Sequence, residues 1–293
     1  MSLKLAPSDY EIYIPIAEWI EKNIKEWLFM QRPLFKKISA PIDTVLNGLD
    51  SLFNFIPFPA VILIFLFFAY KTNGLKFTII SLVGLIFIDL VDLWSESMTT
   101  LAMIFTAVIF CILIGIPLGI LSSRSKTFEV ILRPILDIMQ TIPSFVYLIP
   151  VVMLLGIGKV PGLIAVCIYA IPPVVRLTNL GIRLVDREVL EAAEAFGASY
   201  FQKLFGIQIP LALPNIFAGI NQTIMMSLAM VVIASMIGVK GLGVPVLRAI
   251  SNQYLALGLM NGLAIVALAI IFDRISQNYG KRLQKHQIGG HDD

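Results

Sequence analysis

Charge is scarce in this chain: 14% of its 293 residues are Asp, Glu, Lys or Arg, against 58% hydrophobic. Soluble domains carry about 25% charged residues, so a water-soluble globule is excluded and a polytopic membrane protein is expected. Cysteine is nearly absent as well. Cys111 and Cys167 both lie inside apolar runs, where they read as small hydrophobic residues and supply neither a disulfide framework nor a thiolate metal set. His286 and His291 stand in a polar tail with no carboxylate or thiol at ligand spacing, so no metal site is expected. A formal charge of +3 is too small to suggest nucleic acid. GIGKV at 156–160 is not a phosphate loop: Met153 stands where the first glycine is required, and Val160 replaces the Ser or Thr after the lysine. With no Ser, His and Asp set either, the chain offers no chemistry for an enzyme acting alone and no means of hydrolysing ATP. The opening MSLKLAPSDYEIYIPIAEW lacks the continuous apolar core and cleavage site of a signal peptide, so insertion is expected to rest on the spans themselves.

What the chain does have is apolar length. Its first 56 residues are amphipathic: Ile16, Ile20, Ile24 and Trp27 recur at helical spacing among charges, suggesting a helix in the membrane interface. A second piece follows, with Ile42, Val45, Leu46, Leu49 and Leu52 around Asp43 and Asp50; neither piece is apolar enough to cross. Residues 57–275 read as a transmembrane domain, and 276–293 as a basic tail. Seven spans are expected, at about 58–70, 77–94, 99–121, 132–155, 161–176, 211–237 and 256–273.

Basic residues orient the spans. Lys71 with Lys76, Arg124 with Lys126 and Arg133, Arg176 to Lys203, and the tail residues Arg274, Lys281, Arg282 and Lys285 all belong on the cytoplasmic side. The connections at 95–97 and 156–161 are poor in positive charge, which leaves the N-terminus outside and the C-terminus in the cytoplasm. Lys22, Lys25, Arg32, Lys36 and Lys37 load the N-terminal segment and argue against that placement of the first span.

Polar residues within spans are costly in hydrocarbon unless they face water or a partner. Asp137, Gln140, Ser144 and Tyr147 form a stripe at spacings of three and four on a helix that Pro143 and Pro150 should bend. Asn215, Asn221, Gln222, Thr223 and Ser227 mark the sixth span. Each set reads either as the lining of a passage or as hydrogen bonding between helices. Phe145 and Tyr147 are the aromatic faces that would suit a quaternary ammonium. Asp89 and Asp92 beside Trp94 read as interfacial, and Pro172 and Pro173 as a kink. Gly115 with Gly119 and Gly258 with Gly262 would let helices approach closely. VKGLGVPV from Val239 reads as an outer loop, either a plain turn or one dipping back toward the membrane.

The charged interlude EVLEAAEAFGASYFQKLFGIQIP, 188–210, reads as two short helices with a sharp corner. Asp186 can cap the first, whose Val189, Ala192, Ala193 and Phe196 make one apolar stripe. Gly197 fits a left-handed helix end, and Ser199 with Gln202 has the form of a capping box. By geometry alone it is either an ordinary hairpin or a surface shown to a partner in water.

EAAEAFG, nine residues and then IQIP resembles the EAA loop of ABC importer permeases. Glu191, Ala192, Ala193, Gly197, Ile207 and Pro210 match that pattern, within a loop of about 178–210; Ile209 replaces its leucine. From about Pro57 the chain also resembles permeases for glycine betaine and proline betaine, in LDIMQTIPSFVYLIP, AIPPVVRLTNLGI, EAAEAFG and INQTIMMSLAMVVIASMIG. The resemblance implies an all-α polytopic membrane protein with the type I ABC importer permease fold, in the bacterial cytoplasmic (inner) membrane. It implies two permease copies around a path, two cytoplasmic ATPase subunits that hold ATP and Mg2+, and an extracellular or periplasmic solute-binding protein that chiefly sets selectivity. The helix carrying Glu191 to Gly197 would be the coupling helix, and Gln140, Ser144, Phe145, Tyr147, Asn221 and Gln222 are the candidates for the path. Choline, carnitine, an amino acid or a sulfonate are alternative cargoes. A secondary transporter would need a mid-membrane carboxylate cluster, and only Asp89, Asp92 and Asp137 come near the spans, all toward ends.

Overall fold

The computed structural model describes residues 16–288, and every regular element among them is helical. A short helix α1, Ile16–Trp19, passes through a π turn into α2, Lys25–Phe55. There follow α3 (Phe58–Asn73), α4 (Leu75–Leu90), α5 (Trp94–Arg124), α6 (Lys126–Thr141), α7 (Leu148–Leu155), α8 (Lys159–Arg183), α9 (Arg187–Ala195), α10 (Tyr200–Lys203), α11 (Ile209–Ala234), α12 (Gly243–Asn252) and α13 (Leu255–Ile288). The expected side chains Lys281, Arg282, Lys285, His286 and His291 lie outside the described ones, as does the 1–15 segment.

Three helices make the centre: α5, α8 and α11. Lipid tails are as apolar as leucine, so helices in a bilayer gain little by hiding apolar surface from one another and associate through close packing. Glycine supplies that closeness. A Cβ at Gly115 would sit 2.4 Å from Val174 Cγ1, and one at Gly119 would sit 2.6 Å from Thr178 Cβ and 2.8 Å from the Val175 carbonyl, so α5 meets α8 nearly at backbone contact. On the other flank of α8, Gly219 of α11 presses on the Val174 Cα and Gly181 on Asn215. The second glycine pair behaves differently: Gly258 only touches Ala249, and Gly262 faces open space. Cys111 and Cys167 are free thiols on facing sides of α5 and α8, each directed at a carbonyl of the other helix. A second layer, α3, α4 and α13, packs on the N-terminal part of α5 through Val61, Leu85, Ile88, Leu101, Leu268 and Ile271.

Several sequence expectations change in the folded chain. Among the described residues four helical stretches are long and apolar enough to span, 94–124, 159–183, 200–237 and 255–278; two bent pairs raise this to six. One pair joins 39–55 to 58–73 at 99°, the other joins 126–141 to 144–155 at 106°. The stretch read as a span at 77–94 is the 16-residue helix α4, which ends at Leu90. Span 132–155 is not one helix: Ile142 is extended, Pro143 cannot donate, and the chain turns there, while Pro150 sits inside α7 without a break. That turn divides the expected polar stripe between two elements. Conversely, Pro172 and Pro173 do not end the fifth span; α8 continues to Arg183 with both prolines buried.

The two amphipathic N-terminal pieces form largely one helix, because Pro33 and Pro41 fall inside α2 without ending it. Its second half packs against the bundle. Leu46 is buried in the core among Met103, Leu148 and Leu163, and Asp50 pairs with Lys159 at 2.5 Å beside the α7–α8 turn. Arg32 Nε also donates to the Met153 carbonyl at 2.6 Å. VKGLGVPV is folded inward: the Leu242 amide donates to Thr100 Oγ1 at 2.9 Å, Leu242 is fully buried, and the Gly158 amide donates to the Ile237 carbonyl. Gly241, at φ 122°, is required there, since a Cβ would meet Thr100 Oγ1 at 2.4 Å.

Candidate functional site: the coupling corner and the polar seam behind it

Local rules build the corner from both sides. Asp186 caps α9 by accepting from the Glu188 amide at 3.0 Å. At the other end Gly197 takes φ 78°, its amide donates to the Glu194 carbonyl at 2.9 Å, and the Ala198 amide donates to the Ala193 carbonyl at 2.9 Å. These two bonds are a Schellman close, which uses the left-handed conformation that glycine adopts without strain. The next helix starts at once. Ser199 Oγ accepts from the Gln202 amide at 3.4 Å, and Gln202 Oε1 accepts from the Ser199 amide at 2.7 Å, a complete capping box. Lys203 reaches back to Glu194 and closes the angle between α9 and α10.

The corner is rigid yet uncovered. No residue of α9 is buried; Val189 and Ala192 are exposed, Ala193 is half-buried, and Phe196 is 93% exposed. Glu191 is exposed too, among charges that keep this helix out of hydrocarbon. Ile207 is half-buried in a π turn, Leu204–Gln208, and Pro210 stands in the first turn of α11, where a missing amide costs nothing. The π turn runs straight on into α11, so the loop and that helix are one continuous helical stretch, 200–237.

Behind the corner runs a polar seam between α6 and α8. Arg176 donates to Asp137 at 2.6 Å and to Gln140 Oε1 at 2.9 Å; Arg183 pairs with Glu129 at 2.7 Å, and Asn179 Nδ2 donates to Glu129 Oε1 at 3.2 Å. A cavity of about 240 Å³ opens on the seam, lined by Ser122, Glu129, Arg133, Leu136, Val175, Arg176 and Asn179.

The candidate path residues separate into two groups. Gln140, half-buried, lies on the seam; Ser144, half-buried, and Phe145, exposed, lie at the α6–α7 bend. Tyr147 is nearby but turned inward: it is 9% exposed, and its hydroxyl donates to the carbonyls of Met139 at 2.5 Å and Ile138 at 3.0 Å. The Met139 carbonyl would bond the amide of residue 143 in a continuing helix, and residue 143 is proline. Asn221 and Gln222 stand on α11. Asn221 donates to Asp273 Oδ1 of α13 at 3.0 Å and accepts from Ser276, so it joins two helices, while Gln222 is exposed. Thr223 likewise bonds the Ala170 carbonyl of α8 at 2.9 Å.

Residues that sequence reading passed over are Glu129, Asn179 and Asp273. Asp273 had a signal available, a carboxylate within an apolar run; Glu129 and Asn179 had none, because their partners are 50 positions apart.

Comparison with known proteins accords with this architecture. Residues 112–285 match the family of binding-protein-dependent transport system inner membrane components. The glycine betaine/proline betaine transport system permease ProW of Escherichia coli (strain K12) is 47% identical over 273 residues, which cover 93% of this chain and 77% of that protein. The glycine betaine/carnitine transport permease GbuB of Listeria monocytogenes serotype 1/2a is 42% identical over 273 residues, 92% of this chain and 96% of that one. Among solved structures, the MetNI methionine ABC transporter in an inward-facing conformation superposes with a TM-score of 0.57 at 20% identity, covering 63% of this chain and 92% of that chain. At that identity the likeness is one of fold, and the fold is the ABC importer permease fold. The chain belongs to the binding-protein-dependent transport system inner membrane components, as a permease subunit of an ABC importer.

Proposed function

We propose that this permease forms the path for a small quaternary-ammonium solute of the glycine betaine or proline betaine type, and that α9 is the helix through which a separate ATPase drives it. The single observation that carries the coupling role is the corner itself: a helix capped at both ends, fixed at its angle, and with Val189, Ala192 and Phe196 left uncovered. Such a surface can dock without first being ordered, so little free energy is lost to fixing it. The cargo assignment rests on what ProW and GbuB are named for.

In this reading two copies of the chain surround the path, two ATPase subunits hold ATP and Mg2+, and the permease hydrolyses nothing. A solute-binding protein delivers cargo on the outer side, where the inward-folded 239–243 turn and the Asp50–Lys159 pair lie. The C-terminus is cytoplasmic and the N-terminus outside. ATP binding closes the ATPase pair, α9 moves with it, and α11 follows through the π turn and Pro210, exchanging inward-open for outward-open arrangements. Glu191, Ala192, Ala193, Gly197, Ile207 and Pro210 form the handle, with Gln140, Ser144 and Phe145 nearest the path.

The test is Gly197→Glu in the complex reconstituted with its ATPase and binding protein. Nothing lies within 4 Å of the added Cβ, so the change spares the packing of the spans while straining the left-handed corner and adding charge to the docking face. Labelled betaine uptake is expected to fall about tenfold or more with membrane insertion retained. Uptake at the parent rate would sink the coupling assignment.

A further inference from the structure

The corner is held by something that the EAA pattern does not contain. Arg124 is the last residue of α5, on the α5–α6 corner. It reaches the far arm of the coupling loop in two ways. Its Nη2 donates to Gln208 Oε1, and its guanidinium lies over the Tyr200 ring, 4.5 Å from the centroid. Gln208 is only 7% exposed, so the amide is presented to Arg124 from a packed position. A flat guanidinium can stack and donate in plane at once, which an ammonium cannot do.

The near arm is fastened to the same place. Arg183, the last residue of α8 before the loop, donates to the Ser122 carbonyl at 3.0 Å and pairs with Glu129 at 2.7 Å. The loop thus leaves from and returns to one short stretch, Ser122–Glu129. From there α6 is bound to α8 through Glu129–Asn179, Asp137–Arg176 and Gln140–Arg176, up to the bend at Ile142 and Pro143 that carries Ser144 and Phe145. A displacement of α9 consequently has two routes into the spans. One is covalent, through α11; the other passes through Arg124 to α6 and ends beside the candidate path.

We propose that Arg124 is the positioning residue that clamps the returning arm of the coupling loop to the α5–α6 corner, so that movement of α9 drives the α6–α7 bend together with α11. This rests on the coupling role proposed above. A clamp of this kind affects how strongly loaded binding protein stimulates ATP hydrolysis, whereas a merely structural contact would affect assembly and the stimulated and unstimulated rates alike.

The experiment uses the assembled complex in liposomes and reads the factor by which loaded binding protein raises hydrolysis. Arg124→Gln and Gln208→Leu are each expected to lower that factor about tenfold, the worth of one hydrogen bond to a charged group. The double variant is expected to lose little more than either single, since both remove the same contact. Arg124→Lys should recover part of the loss. Parent-like stimulation in Arg124→Gln, losses that multiply in the double variant, or failure of Arg124→Gln to copurify with the ATPase would each overturn the clamp. Gly197→Glu is measured alongside. Uncoupling there with intact Arg124→Gln rejects the clamp alone; intact stimulation in both rejects the coupling role of α9 itself.

Discussion

Replacing Tyr147 by Phe separates two roles that the sequence leaves superimposed on one residue. As an aromatic face for a quaternary ammonium, residue 147 would serve equally well as Phe. As the group that closes the end of α6, it needs the hydroxyl. The Met139 carbonyl has no helical donor because residue 143 is proline, the chain is already extended at Ile142, and the phenol at 2.5 Å stands in that place. With the ring 9% exposed, water has little access to replace it. Leaving the Met139 carbonyl without its donor at this part-buried site costs about 1–3 kcal/mol. At roughly 2–4 °C of midpoint per kcal/mol, Tyr147→Phe should unfold roughly 2–12 °C early. The two free cysteines supply the assay: Cys111 is buried and Cys167 half-buried against the facing helix, so a thiol-reactive dye reports the opening of α5 from α8 in detergent. Uptake per folded molecule should be preserved in Tyr147→Phe, since the ring remains. A midpoint within about 1 °C of the parent would refute the capping argument.

Two further outcomes follow from the packing. Gly119→Ala places a methyl 2.8 Å from the Val175 carbonyl, a backbone atom that cannot rotate away, so overpacking of about 1–3 kcal/mol should lower the same midpoint, while Gly262→Ala, facing open space, leaves it unmoved; equal midpoints would reject backbone contact between α5 and α8. The Asp50–Lys159 pair, with side chains 19% and 28% exposed, should show a coupling of about 1 kcal/mol in a double-alanine cycle; strict additivity would mean that the pair does nothing to hold α2.

Much of the corner could be read from sequence because its rules are local. Asp186, Gly197, Ser199 and Gln202 act on backbone groups two to five residues away, and all four take the expected roles. Where the partner is distant the reading loses its grip. Asn221 gave two options, passage or helix contact, and the choice depended on Asp273, which lies 52 positions on. Apolar periodicity also fails to distinguish lipid from protein: Leu46 is one position of an amphipathic stripe whose partner the sequence does not name, and it packs against Met103, Leu148 and Leu163. Proline was ambiguous for a related reason. Pro143 breaks its helix while Pro172 and Pro173 do not, and what differs is burial: both prolines of α8 are packed away from solvent, and α8 runs on through them to Arg183.

Phe196, 93% exposed, bears on how the chain fares before it is assembled. A large aromatic ring on an uncovered corner is adhesive until something packs over it. In the coupling role proposed above, an unpaired copy would carry that uncovered ring on the face meant for its ATPase, the kind of surface that chaperones and proteases recognise.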